Sequence, residues 1–235
     1  MTEHLSLTGI PGLNGRFDLY GNIHKAIRKA GCELLCRLGA ADYDNADERA
    51  AVLAGLRGYL AIAAGHVVHE DEHVHKALQA RGASTATVDD QHDDHRHAFR
   101  DLEALAQAVE QAGALDRSAA GRKLYLAFAA YIAEDLAHMH EEETVTAPTL
   151  WKNFTDQELI GIEMRIVSSI PPEKHLAFMR TMIPALNPAE RAALLGAMKR
   201  GAPPEIFNAV IEFAVRPSLS EIAFDDLANR LHLAA

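Results

Sequence analysis

Apolar residues recur every three or four positions along four long stretches of this chain, and in each stretch a histidine interrupts the apolar stripe. That interval is the helical period. The first stretch runs from about Phe17 to Leu38. Phe17, Tyr20, His24, Ile27, Gly31, Leu35 and Leu38 lie in line, and Gly39 is a natural stop. The second runs from about Asp47 to Ala80, with Leu56, Tyr59, Ala63, His66, Glu70, His73 and Ala77 on its stripe and Gly82 closing it. The third runs from about Asp89 to Ala112, capped by Asp89 or Asp90 and stopped at Gly113. The fourth runs from about Asp116 to Val145, and Pro148 is expected to end it. Val, Ile and Thr nowhere alternate with polar residues, so no strand is expected. Four long amphipathic helices joined by short loops predict an all-α fold, an up-down-up-down four-helix bundle.

Residues 153–235 read as a helical C-terminal extension of shorter pieces. Thr155 to Glu158 is a capping box opening a helix to about Ile170, where Pro171 and Pro172 break it. A second piece runs to about Leu186. Asn187, Pro188 and Glu190 form the next start, Pro203 and Pro204 another, and Ser218 to Leu231 the last. The chain therefore divides into a bundle over 1–152 and an extension over 153–235. The apolar stretches of the extension pack on the bundle in one reading. In the other they present a surface for a protein partner or for self-association.

The chemistry lies in the first part. Of 13 histidines, eleven fall in residues 1–152. His66 and Glu70 are four apart and share a helix face, with His69 and His73 beside them. His138 and Glu142 repeat that spacing, in line with Tyr131 and Val145, and Glu134 lies one turn earlier. His92 and His95 align with Phe99 and Leu102. His24 sits within the first apolar stripe. His75, His97 and His140 are expected on the outer faces of their helices. A single histidine on an apolar face is ordinarily a satisfied core residue. Four helices doing this together, two with a glutamate one turn on, need a common partner, because a buried carboxylate costs several kcal/mol unless it is paired or metal-bound. A dinuclear metal site satisfies them all, with carboxylates bridging two cations and imidazoles in terminal positions.

This constellation resembles the hemerythrins and their hemerythrin-like HHE-domain relatives, over roughly residues 17–152. The matching residues are His24 on the first helix, HVVHE with His66 and Glu70 on the second, His92 with His95 on the third, and HMHEE with His138 and Glu142 on the fourth. The resemblance implies a four-helix bundle around a non-haem diiron centre with an oxo or hydroxo bridge, in which Glu70 and Glu142 bridge the irons. His92 and His95 are three apart, where the oxygen-carrying members have four, so one of the two is a ligand or both are. His69 and His73 are additional candidates. The same donors accept manganese or zinc. Three functions follow as expectations. One is binding or sensing of oxygen, nitric oxide or peroxide, or iron handling. Another is an enzyme that removes peroxide or reduces nitric oxide. The last is an interaction protein whose cluster holds a redox-inert metal or none.

Charge and composition narrow the alternatives. Lys and Arg number 23 against 33 Asp and Glu, a net charge of −10. That balance disfavours a phosphate-tracking nucleic-acid binder and an anionic membrane surface. No uncharged apolar run reaches the roughly 18 residues of a membrane span. The opening MTEHLSLTGIPG lacks a basic start and an apolar core, so no secretory leader is expected. The two cysteines, Cys32 and Cys36, make no disulfide framework, and they read as small buried hydrophobes in a reducing cytoplasm. Tyr20, Tyr59 and Tyr131 lie on the inward stripes, either as core or as proton donors to a bound ligand.

Overall fold

The computed structural model describes residues 15–233. The opening segment, and with it the reading of MTEHLSLTGIPG, lies outside the described residues. The described residues are all-helical, with no strand among them. They fall into two compact units. One comprises Leu34–Val167 with the residues up to Gly21, and the other Asn22–Glu33 with the residues from Ser168 on.

Helix α1 (Gly21–Ala40) contributes to both units. It begins at Gly21 rather than Phe17 because Asp18 Oδ1 accepts from the backbone N–H groups of Tyr20 and Gly21, at 3.1 and 3.0 Å, turning the chain before the helix starts. Cys32 and Cys36 are exposed, which corrects the expectation of buried thiols. The inward positions are taken by Gly31, Leu34 and Leu38, and the cysteines fall past that stripe.

In the first unit, Asn45 caps α2 (Ala46–His69) by accepting from the N–H groups of Asp47 and Glu48. The helical path continues through a π turn (Glu70–His75) into α3 (Lys76–Ala80). Helix α4 spans Ala86–Gln111. Helix α5 (Arg117–Glu141) passes through a second π turn (Glu142–Thr146) into α6 (Ala147–Asn153). Pro148 therefore does not end the fourth run, as expected, but sits in the first turn of α6, where a missing N–H costs little. Helix α7 (Asp156–Ser169) starts at the Thr155–Glu158 box, with Glu158 accepting from the Thr155 N–H at 2.8 Å.

Helices α2, α4 and α5 pack together through their apolar faces. Leu53, Leu56, Leu102, Ala106, Val109, Leu124 and Phe128 are buried there, and Tyr59, Phe128 and Tyr131 meet edge-on or tilted with ring centroids 5.5 to 6.2 Å apart. Arg57 ties α2 to α4 through Glu103 and Glu110, at 3.1 and 2.7 Å. Gly121 has no side chain because Tyr43 occupies the space. A Cβ there would stand 2.3 Å from the ring, whose hydroxyl donates to the Leu38 carbonyl. A second cluster joins Tyr20, Val74, Leu78, Ala147, Leu150, Leu159 and Ile162.

By length and composition the run Ala46–Ala80 is apolar enough to cross a membrane, contrary to the sequence reading, which stopped at its charged residues. Here Val52, Leu53, Leu56, Tyr59, Leu60, Ala63 and Val67 are buried within the protein.

The second unit gathers α8 (Pro172–Met182), α9 (Pro188–Gly201), α10 (Pro204–Val210) and α11 (Glu221–Leu231). Its core is formed by Ile183, Leu195, Phe207, Val210, Ala214, Val215, Leu227 and Leu231. Asn187 and Glu190 complete a reciprocal capping box at the start of α9.

Candidate metal centre

The two π turns of the first unit begin at Glu70 and Glu142, the two glutamates of the His-x-x-x-Glu pairs. Each pair closes to the same distance: His66 Nε2 to Glu70 Oε1 is 3.3 Å, and His138 Nε2 to Glu142 Oε2 is 3.3 Å. All four residues are buried. A residue in a π turn advances less than the roughly 100° of an α-helix, so the face changes beyond each glutamate. This corrects three expectations from straight helical counting. His75 was expected outside and is buried at 1% exposure. Val145, expected inward, is exposed, while Thr146 is buried. His73, expected inward, is half-buried, as is His69.

Among the described residues, buried donor atoms collect in two groups around the same two carboxylates. His66, Glu70 and Glu142 offer atoms within 4.8 Å of one another, and so do Glu70, His92, His138 and Glu142. His92 Nε2 lies 3.4 Å from Glu70 Oε2 and 3.2 Å from His138 Nε2. The outer nitrogens of both rings are fixed. His92 Nδ1 donates to Asp71 Oδ1 at 2.7 Å, and His138 Nδ1 donates to Gln91 Oε1 at 2.7 Å. Both Nε2 atoms are therefore turned inward. His24, on the stretch of α1 that belongs to the second unit, is fully buried. His95 is buried with its ring 4.8 Å from that of His138 and 5.6 Å from that of Tyr131, and it stands outside the two donor groups. His69 and His73 are also outside them, and His97 is exposed.

Burial and neighbouring charge divide the imidazoles. Burial alone would lower His92, but hydrogen bonds to Asp71 and Glu70 carry it up to about 10. Burial, with His92 nearby, takes His95 down to about 4. Burial also pushes His138 far below the usual imidazole range, with the Glu70 charge opposing and His95 and His92 adding to it. Tyr20 is raised by burial and then by the charges of Glu142 and Glu70. Tyr59, also raised by burial, donates to Asp135 Oδ2 at 3.1 Å.

Four functional candidates escaped the sequence reading. Asp71 and Gln91 hold the Nδ1 atoms of His92 and His138. His75 stacks on His92 with centroids 4.9 Å apart and planes 15° from parallel. Asp135 is buried beside Tyr59, whereas Glu134, one turn before His138, is exposed to solvent. One signal was present: Asp71 and His75 are four apart, the spacing of an intrahelical pair.

Asp71, His75 and His92 also offer closely spaced donors. His92 turns only Nδ1 toward Asp71, with Nε2 committed inward, and Arg96 pairs with the same carboxylate. That third cluster is accordingly a hydrogen-bonded support.

No family model, no curated protein and no solved structure matches this chain.

Proposed function

We propose that the chain holds two metal ions around Glu70 and Glu142, in a bundle of the hemerythrin type, and uses them to bind or sense a small ligand such as oxygen, nitric oxide or peroxide, or to handle iron. The observation that carries this reading is that both buried carboxylates belong at once to two histidine groups. Two donor groups that share both carboxylates suit two cations rather than one. Iron is proposed on the resemblance, and manganese and zinc fit the same donor chemistry.

When bound, such an ion pair offers coordination positions to a diatomic molecule or a peroxide. The chain's own residues prepare the site. Glu70 and Glu142 bring negative charge into a buried space and would hold both ions. His66 would hold metal on one side of the two carboxylates, and His92 with His138 on the other. Gln91 and Asp71 fix the ring nitrogens that face away. Tyr131 packs against His95, and Tyr59 and Phe128 pack in turn on Tyr131, an apolar wall of buried rings. A reducing cytoplasm is the proposed setting, since the two thiols are free and exposed.

Metal stoichiometry by mass spectrometry, on protein purified without chelators, tests the proposal. About two irons per chain are expected from a carboxylate-bridged pair. One zinc, or no metal even after anaerobic iron loading, would overturn it. His66→Ala is expected to lower the metal content.

A further inference from the structure

We propose that Asp71 and His75 are positioning residues for the ligand His92, Asp71 by holding its outer nitrogen and His75 by holding its ring plane. The inference rests on the metal reading given above and adds to it two residues that are not ligands.

Asp71 follows Glu70 directly, on the π turn, and its carboxylate turns away from the inner donor groups. Its Oδ1 accepts from His92 Nδ1 at 2.7 Å and lies 3.3 Å from His75 Nδ1. Its other oxygen is held by Arg96, which also pairs with Asp93 at 2.8 Å. The carboxylate is thereby fixed from three sides. A carboxylate can only accept, so His92 must keep a proton on Nδ1 and must turn Nε2 toward Glu70 and His138. A carboxylate behind an imidazole also raises its basicity as a ligand.

His75 closes the other degree of freedom. Its ring lies flat on that of His92, so rotation of the His92 ring would drive it into its neighbour. His75 is itself anchored outward. Its Nδ1 donates to Asp89 Oδ1 at 2.7 Å, and Thr85 Oγ1 donates to Asp89 Oδ2 at 2.7 Å. Gln79 Nε2 donates to Thr85 Oγ1 at 2.7 Å. The support thus runs from the start of α4 through His75 and Asp71 to the ligand. The π turn makes it available, because straight helical counting puts His75 on the far face.

Two measurements on the full chain test this. In the metal-free protein, proton NMR with nitrogen-15 histidine should show a slowly exchanging proton on His92 Nδ1. That proton should be lost to exchange in Asp71→Leu, which has similar volume and no acceptor. In the metal-binding assay, zinc is the probe, read by competition with a chelator. Asp71→Leu should bind zinc about 10–100-fold more weakly. Asp71→Asn, which retains an acceptor oxygen, should recover part of that loss. His75→Ala should release zinc faster, with the His92 Nδ1 proton still present. If Asp71→Leu fails to fold by circular dichroism, the comparison of Asp71→Asn with the wild type carries the test, with a smaller loss expected. Equal zinc affinity in wild type and the Asp71 variants, with the His92 proton unchanged, would overturn the positioning role alone. A wild-type chain that binds neither zinc nor iron would overturn the metal reading, and the positioning role with it.

Discussion

The Nε2 atoms of His92 and His138 lie 3.2 Å apart, while the other nitrogen of each ring is already donating outward, to Asp71 and to Gln91. Two lone pairs cannot face each other across that gap, so a proton or a cation belongs between them. With His92 raised to about 10 and His138 lowered, the proton stays on His92 and His138 accepts it. Metal uptake at neutral pH should therefore release about one proton per chain from this pair. Titrating metal into a weakly buffered solution with a pH indicator measures it. Uptake without proton release would contradict the assignment of that proton.

The proposal that both glutamates are shared between two metal positions makes a separate prediction. Glu142→Gln keeps the shape but weakens a donor common to both positions, so metal content should fall from about two ions to one or none. His97→Ala, at an exposed position, should leave it unchanged. Elemental analysis of the three proteins, purified in parallel, decides the point. Equal metal in Glu142→Gln and wild type would remove Glu142 from the ligand set.

The metal-free chain should also report His95 through pH. Its pKa, near 6.5 in the unfolded chain, falls to about 4 in the fold. A lowered imidazole contributes stability that is complete above about pH 6.5 and is lost as pH falls toward 4, by roughly 3 kcal/mol for this shift. His138 acts in the same sense. His92 acts in the opposite one: its contribution is complete below about pH 6.5 and is lost as pH rises through about 10. Denaturant midpoints at pH 7 and pH 4.5 measure the acid limb. His95→Leu should flatten it, and an unchanged slope in that variant would assign the loss to other groups.

Two glycines should answer the same substitution with opposite signs. Gly58 faces open space in α2, so Gly58→Ala should stabilise the chain by up to about 1 kcal/mol through helix propensity. Gly121 abuts the Tyr43 ring, so Gly121→Ala should destabilise by about 1–3 kcal/mol as the ring is displaced and its bond to the Leu38 carbonyl strained. Thermal melts of the two variants beside the wild type check both signs.

The sequence carried the helices well, because each apolar stripe keeps one period for five turns or more. It also placed His66 with Glu70 and His138 with Glu142 on common faces, since a spacing of four meets within one α turn. It failed beyond each glutamate. A π turn has no spacing signature of its own, and the residues after it follow a rotated phase. His75 and Val145 were misplaced for that single reason. Pro148 was taken for a stop because its position within the first turn of α6 depends on the same turn. Asp71 and Gln91 were hidden differently: both adjoin a predicted ligand, and neither lies on an apolar stripe. What selects them is the tertiary approach of α4 to the π turn, which local periodicity does not encode.

Each π turn can be regarded as one residue more than its helix needs. Excising a single residue between Glu70 and Val74 would return that stretch to an α-helical count. The glutamate would stay in place, but everything after it would swivel: His75 would leave the interior, and Val74 and Leu78 would lose their places against Tyr20 and Leu159. The surplus residue thus works as a phase adjuster. It lets one unbroken helical rod turn Glu70 into a buried donor group and, a turn later, offer a different set of contacts to a different neighbour.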